Sequence, residues 1–239
     1  MRALNFAKRN FKEIMRDPLS IIFALILPLF LLFIFQQFDI PGEAYKLENF
    51  TPGIIVFGFS FLTLFTATLV SKDRESALLS RLGVSPMRGS DYVLGYLLAV
   101  LPMALMQNVL FFAAALLLGL DFSAGILLCA ALSLPISLLF IGLGILVGSC
   151  VGERASSGVG SIAVQLVAFT GGLYFDASMM GGFFATLCKI LPFSGTVDIL
   201  RGALAQNANG LLIPALTVLI YTAAILTAAI MLFTKRMRS

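Results

Sequence analysis

Apolar runs about as long as a bilayer is thick recur along this chain, and they constrain its fold more than any other feature. A helix needs roughly 20 apolar residues to cross the hydrocarbon core. Of the 239 residues, 59% are hydrophobic and 12% are charged, whereas about a quarter of the residues of a soluble domain are charged. The sequence therefore predicts one all-α integral membrane domain over residues 1–239.

Six transmembrane helices are predicted, over residues 19–38, 53–70, 92–118, 124–149, 159–175 and 211–233. If the N-terminus is inside the cell, the inner segments hold thirteen Lys and Arg residues. The outer segments then hold three, which are Lys46, Lys189 and Arg201. This asymmetry follows the positive-inside rule. We therefore expect a multi-pass protein of the plasma membrane, with both termini in the cytoplasm.

Residues 1–17 alternate charged and apolar residues in a pattern that predicts an amphipathic helix. One face of that helix would carry Leu4, Ala7, Phe11, Ile14 and Met15. The opposite face would carry Lys8, Arg9, Lys12, Glu13 and Arg16. A basic amphipathic helix of this kind is typical of a membrane surface, so membrane lipid is its expected partner.

The longest polar interruption, residues 72–91, is predicted to form a short cytoplasmic helix. Asp73 and Glu75 favour the N-terminal end of a helix, and Gly83 and Pro86 end it. One side of the helix carries an apolar stripe, made of Leu78, Leu79 and Leu82. Two interpretations stand, a helix on the lipid headgroups and a docking surface for a cytosolic partner.

Residues 176–210 are too interrupted to cross the membrane and too apolar to form a free loop. The segment contains Gly181, Gly182 and Pro192, but also several apolar stretches. It predicts an outer hairpin of two short helices before the last span, either re-entrant or resting in the interface. Asp198 and Arg201 lie three residues apart and would meet on one helical face, where a structural pair is favoured over a role in substrate binding.

Several kinds of chemistry are disfavoured by the residues present. The sequence has no histidine, and its three cysteines, Cys129, Cys150 and Cys188, do not have the spacing of metal ligands. No glycine-rich phosphate loop occurs, and no ionisable residue falls in the middle of a predicted span, as ion-coupled transporters usually require. The basic residues flank apolar runs, so no nucleic acid is implied. We therefore expect no enzyme activity and no directly bound cofactor.

Uncharged polar residues within the predicted spans are candidates for a substrate path. Most such groups are expected to hydrogen-bond across helices or to their own backbone. The larger amides are harder to satisfy in that way. The candidate path residues are Thr66, Gln107, Asn108 and Gln165.

This organisation resembles the ABC transporter permease subunits of the type-2 exporter class, and the resemblance covers nearly the whole chain. Residues 72–86, KDRESALLSRLGVSP, look like the family's inner-loop pattern of arginine and glutamate, a Leu-rich turn and a closing proline. Residues 191–204, LPFSGTVDILRGAL, are similar to its pattern of Leu-Pro, a polar pair, and an aspartate shortly before Leu-Arg.

The resemblance implies a coupling helix that docks on a separate cytosolic ABC ATPase subunit. The implied contacts are Glu75, Leu78, Leu79, Arg81 and Leu82, with a lesser contact at Glu153 and Arg154. ATP then acts through that partner, and a second permease copy or a sister permease completes the pathway.

The implied function is export of an amphipathic or hydrophobic compound, such as a drug, an antibiotic or a lipid, across a bacterial inner membrane. The alternatives are a lipid-linked saccharide exporter and a channel-like or scaffolding membrane protein without an energy source. The companion chains that purify with the protein distinguish an energy-coupled permease from the last of these.

Overall fold

The computed structural model of the protein describes residues 2–38, 42–76, 88–173 and 182–236. Every regular element in these ranges is helical. The helices are α1 (Arg2–Ile14), α2 (Pro18–Gln37), α3 (Leu47–Glu75), α4 (Gly89–Leu117), α5 (Ala124–Cys150), α6 (Glu153–Thr170), α7 (Gly182–Ile190), α8 (Pro192–Leu204) and α9 (Leu212–Arg236). The leucine stripe predicted at Leu78, Leu79 and Leu82, and the neighbouring Arg81, lie outside the described residues.

Five helices in the described ranges are long and apolar enough to cross a membrane, namely α2, α3, α4, α5 and α9. They confirm an all-helical, multi-pass membrane domain. The described part of the fifth predicted span, residues 159–173, corresponds to α6 and the turn after it. Because α6 begins with Glu153 and Arg154 and contains several serines, it is less apolar than the other five helices. A sixth crossing at α6 therefore stays a prediction.

Charged residues collect at one end of the helix bundle, which we call the charged end. There α3 and α5 end, and α4 and α6 begin. Glu75 of α3 accepts a hydrogen bond from the backbone N–H of Glu153, and Thr234 of α9 packs against Gly89, the first residue of α4. Because α1 also packs on α4, both ends of the described chain lie on this side of the bundle.

Helix α6 runs antiparallel to α3 along most of its length. Gly152 lies against Glu75, Gly160 against Leu64, and Leu173 against Gly53. The matching stretch of α3, from residue 53 to residue 75, is about 33 Å long at 1.5 Å per residue. That length is close to the thickness of a bilayer core, about 30 Å.

Helix α3 is the centre of the bundle. In its most apolar stretch, 83% of the residues are buried. In the corresponding stretches of α2 and α9, 22% and 17% of the residues are buried. Helix α5 approaches it closely because glycine replaces larger side chains at the contact. A Cβ atom on Gly144 would stand 2.6 Å from the carbonyl oxygen of Thr63, and the Thr63 hydroxyl donates to the carbonyl of Phe140 at 2.8 Å. Small residues at membrane helix contacts permit such close packing.

The predicted hairpin before the last span contains two short helices, α7 and α8, that reach into the bundle. Pro192 is the first residue of α8, where its missing N–H removes no helical hydrogen bond. At this end of α8, the Phe193 ring stacks on Phe140 with 5.9 Å between centroids. The carbonyl of Phe140 also accepts a hydrogen bond from the hydroxyl of Thr63, which lies midway along α3. At its other end, Leu204 packs against Gly125, near the start of α5. The re-entrant alternative therefore describes α8 better than the interfacial one.

We predict opposite effects for the same substitution at two helical glycines. Gly144→Ala places a methyl group against the backbone of α3, which should lower the free energy of unfolding by about 1–3 kcal/mol. Gly158→Ala is the control, because nothing lies within 4 Å of that position. There alanine should raise stability slightly, by up to about 1 kcal/mol, through its better helix propensity. Thermal unfolding in detergent measures both, and equal stability of the two variants would contradict the packing argument.

Candidate functional site

A buried carboxylate joins three helices at the charged end. Asp73 of α3 is 1% exposed. Arg9 of α1 donates to it from both terminal nitrogens, with N–O distances of 3.0, 3.2 and 3.0 Å. The Tyr96 hydroxyl of α4 donates to its second oxygen at 3.0 Å. A charge-assisted, two-pronged contact of this kind is strong and specific in geometry, so it holds α1 in a defined position.

Two further charges extend this contact into a network. Glu13 of α1 accepts from Arg9 at 2.9 Å and from Lys72 of α3 at 2.8 Å. Partial burial lowers the pKa of the Arg9 guanidinium, but the hydrogen bond and charge of Asp73, together with the charge of Glu13, raise it further, so the net shift is upward. Arg9 therefore stays charged, and the four side chains form a neutral set of two acids and two bases.

The apolar face of α1 is buried against the protein. Phe6 meets Tyr92 and Tyr96 of α4 edge-on, with ring centroids 5.5 and 5.0 Å apart. The buried residues of α1 are Phe6, Ala7, Asn10 and Ile14. The predicted apolar face also included Leu4 and Met15, which are 63% and 42% exposed. The face buried against the protein is rotated toward Phe6 and Asn10, because it packs on the aromatic pair of α4 and on Asp73 of α3. Contact of Leu4 and Met15 with membrane lipid stays a prediction.

Two adjacent side chains at the end of α3 hold the turn between α5 and α6. The Arg74 guanidinium donates to the carbonyls of Ser149 and Val151, the latter at 2.7 Å. Glu75 accepts from the backbone N–H of Glu153 at 2.9 Å. The carbonyls at the end of α5 carry partial negative charge, and the N–H groups at the start of α6 carry partial positive charge. The Arg74 cation and the Glu75 anion each bind the backbone groups of opposite charge.

The structure thus brings together three of the predicted coupling residues. Glu75, Glu153 and Arg154 meet at this turn, and Glu153 and Arg154 are exposed. The remaining ones, Leu78, Leu79, Arg81 and Leu82, lie outside the described residues. In the sequence, these residues directly follow Arg74 and Glu75, which anchor the end of α3.

The four candidate path residues do not share one surface. Thr66, Gln107 and Asn108 are buried in the bundle, whereas Gln165 is exposed on α6. Gln107 donates from its amide nitrogen to the carbonyls of Ala24 and Gly58, at 3.0 and 2.9 Å. Ala24 lies in a π-helical turn of α2, which leaves backbone groups in need of partners. Gln107 therefore ties α4 to α2 and α3.

Polar atoms near this contact are unsatisfied in the described part of the chain. They are the amide oxygen of Gln107 and both amide heteroatoms of Asn108. The Thr66 hydroxyl is also unsatisfied, but it lies about 12 Å further along α3, at the contact with Gly144. An unpaired polar group in a membrane interior is costly. The amide atoms of Gln107 and Asn108 therefore mark the interior position at which a bound polar group or water would gain most.

Helix α6 presents a polar stripe to the outside of the bundle. Glu153, Ser157, Ser161 and Gln165 follow one another at four-residue spacing, and all are exposed. A shallow depression of about 370 Å³ lies beside the stripe, lined by residues of α6 and by Leu187 of α7. Exposed apolar side chains of α6, such as Ile162, Leu166 and Phe169, flank the stripe, and the exposed residues of α2 and α9 also include many large apolar side chains.

Both residues of the predicted hairpin pair lie on α8. Arg201 of α8 donates from Nε to the carbonyl of Asn49, near the start of α3, at 2.9 Å. Asp198 is exposed. The contact of Arg201 supports its interpretation as a residue that positions α8.

Sequence reasoning missed Asp73, Arg9, Tyr96 and Arg74 as site residues. For Asp73 a signal was present, because it continues the helical stripe that contains Thr66, Leu69 and Val70. Those three residues are buried, and a carboxylate at the same angular position must also be buried and needs a partner. The identity of that partner, Arg9, depends on a contact between residues 64 positions apart.

We predict that Arg9→Met releases α1 from the bundle. The change leaves Asp73 buried without its cation, which should cost about 3 kcal/mol, toward the lower end of the usual range because water reaches Arg9. Hydrogen–deuterium exchange should be faster across α1 than in Lys8→Met, a control at an exposed cation on the same helix. The double change Arg9→Met with Asp73→Leu should restore slow exchange. Equal exchange in the two single variants would contradict this role.

A family model described as ABC-2 type transporter matches residues 4–205, from α1 to the end of α8. No curated protein matches the chain significantly. The family match covers most of the 239 residues, and the membrane helices that the structure describes agree with it. The chain therefore belongs to the ABC-2 type transporter family, and it is a multi-pass membrane permease of an ABC transporter.

Proposed function

We propose that this permease exports an amphipathic or hydrophobic compound, such as a drug, an antibiotic or a lipid-like molecule, with ATP hydrolysed by a separate subunit. Permeases of this family typically pair with an ABC ATPase. The observation that carries the proposal is the joint at the charged end. There Arg74 and Glu75 tie the end of α3 to α5 and α6, immediately before the leucine-striped segment.

This joint provides a path for movement from a partner into the membrane. A force on residues 77–87 acts directly on α3 and α4, the two helices that this segment connects, and α3 is the most buried of the five membrane helices. From α3 it passes to α5 and α6 through Arg74 and Glu75, and to α1 and α4 through Asp73. Helices joined in this way move as a body, which is a common form of conformational change in proteins.

The orientation that we propose places the charged end in the cytoplasm. Basic residues at that end include Lys8, Lys12, Arg16, Lys72, Arg74, Arg88, Arg154 and Lys235. Lys46 and Arg201 lie toward the other end. This distribution agrees with the positive-inside rule. The course of α6 beside α3 supports a sixth crossing, which brings both termini to the cytoplasmic side of a bacterial inner membrane.

A second permease subunit would cover the polar stripe on α6. Ser157, Ser161 and Gln165 face outward in a single chain, where lipid offers no hydrogen bonds. A second copy, or a sister permease, would enclose this stripe and give a pathway with polar and apolar walls. Such a pathway suits an amphipathic substrate, because Ile162, Leu166 and Phe169 border the same depression.

We predict that Leu79→Asp abolishes transport and lowers co-purification of the ATPase subunit. A carboxylate in the leucine stripe would have to enter an apolar groove of the partner, where burial of an unpaired charge is unfavourable. Ser80→Asp is the control, because it adds the same charge outside the stripe. Membrane insertion should be normal for both variants. Unchanged co-purification and transport in Leu79→Asp would rule out docking through this stripe.

We predict that α6 faces its counterpart in the paired permease. In a background without native cysteines, Ser161→Cys should give an oxidative cross-link between two permease chains, because the residue is exposed on the polar stripe. Leu219→Cys is the control on α9, where the side chain is 65% exposed and should face lipid. Cross-linking is read from the mass of the product. A disulfide between two copies of this chain identifies a homodimer, and a pair with a sister chain requires a second cysteine at the facing position of that sister. A cross-link through Leu219→Cys alone would contradict the arrangement.

A further inference from the structure

A cleft opens where the elbow between α1 and α2 meets α3. Its volume is about 330 Å³. Arg16 and Lys72 lie at its outer end, and Phe65 and Leu69 of α3 line it further in. From Lys72 to Phe65 the helix covers about 10 Å, at 1.5 Å per residue. The cleft therefore changes from charged to apolar over the depth at which a lipid headgroup gives way to acyl chains.

The charged side chains that line the cleft differ in whether they have a partner within the protein. Lys72 donates to Glu13 at 2.8 Å, and the carboxylate of Asp17 accepts from the N–H and hydroxyl of Ser20. The backbone N–H of Arg16 donates to the carbonyl of Glu13, but its guanidinium has no hydrogen-bond or ion-pair partner among the described residues. The cleft therefore offers an exposed guanidinium to an anion, and guanidinium groups bind phosphate oxygens in a two-pronged geometry.

The surface beside the cleft is suited to lipid. Leu19 and Phe23 of α2 are 65% and 46% exposed and lie on the membrane-spanning helix directly after the elbow. A molecule could thus enter sideways from the bilayer. A soluble anion would gain from Arg16 alone, whereas an amphiphile would also bury apolar surface against Phe65 and Leu69, which is favourable in proportion to the area removed from water.

We propose that this cleft binds one anionic phospholipid of the leaflet in which α1 lies, with its phosphate at Arg16 and an acyl chain along Phe65 and Leu69. The cleft shares no lining residue with the polar stripe on α6 or with the predicted ATPase contacts. Glu13 and Lys72 line the cleft and also belong to the network around Asp73. A bound lipid therefore joins the elbow to α3 and adds to the contacts that hold α1 in place.

Retention of lipid by the purified permease tests the headgroup contact. Native mass spectrometry after incubation with phosphatidylglycerol should show one retained lipid, and phosphatidylcholine, whose headgroup has no net charge, should be retained less. Arg16→Gln should weaken retention of phosphatidylglycerol by about tenfold, as expected for the loss of one charge-assisted contact. Lys8→Gln is the matched control, since it removes an exposed cation of α1 that does not line the cleft. Equal losses in both variants, or no loss in Arg16→Gln, would overturn the proposal.

Photo-cross-linking to the wild-type protein tests the position of the lipid acyl chain without any substitution. Phosphatidylglycerol that carries a photoreactive diazirine in one acyl chain should cross-link to the peptide of α3 that contains Phe65 and Leu69. Inorganic phosphate at the same concentration should not reduce the cross-link, because a free anion lacks the apolar part. Competition by phosphate as effective as that by unlabelled phosphatidylglycerol would overturn the lipid assignment. Labelling spread evenly over the exposed faces of α2, α4 and α9 would also overturn it.

Discussion

A bilayer offers no water to hydrogen-bond with polar groups, and this constraint governs the structure of the permease. Helices satisfy their own backbone, and side-chain hydroxyls within the spans donate to carbonyls. Ser133 and Ser137 donate to carbonyls of their own helix, and Thr63 donates across to α5. The hairpin of α7 and α8 is broken in mid-bundle, but the buried part of α8 lies against other helices. Irregular backbone at membrane depth is tolerated under that condition.

Two buried polar side chains, Asp73 and Asn108, differ in how well their hydrogen bonds are satisfied. Asp73 is buried but fully engaged by Arg9 and Tyr96, so its cost is offset while α1 stays docked. Asn108 has no partner for its amide in the described part of the chain. Asp73 therefore stabilises the docked position of α1. A rearrangement that gave the Asn108 amide a hydrogen-bond partner would lower the free energy of that conformation. Both lie on α3 or α4, next to the helices that carry the proposed joint.

Close packing along α3 and α5 allows the contacts of Arg74 and Glu75 at one end to fix how these helices lie against each other. Helix α3 contacts α5 through glycine, so its backbone and that of α5 approach without intervening side chains. Arg74 and Glu75 then fix the ends of the same helices. In the mechanism that we propose, movement at this end passes along the whole helix, because packed helices adjust in discrete steps and not by continuous deformation. The polar stripe lies on α6, whose first turn is held by the same joint.

The sequence alone determined that the protein is a membrane protein, where its long apolar helices have their centres, and which family it resembles, because run length and local pattern specify these properties. It also indicated a broken hairpin, since Pro192 acts locally. It wrongly placed Asp73 and Glu75 at the start of a new helix, whereas both lie in the last turn of α3, because packing on α1, α5 and α6 extends that helix beyond its apolar run. Tertiary structure alone decided which face of α1 is buried, that Asp73 meets Arg9, and that Gln165 points away from Gln107 and Asn108. These depend on how helices distant in the chain are rotated against each other. Helical periodicity defines the possible faces, but only the neighbouring helices select one.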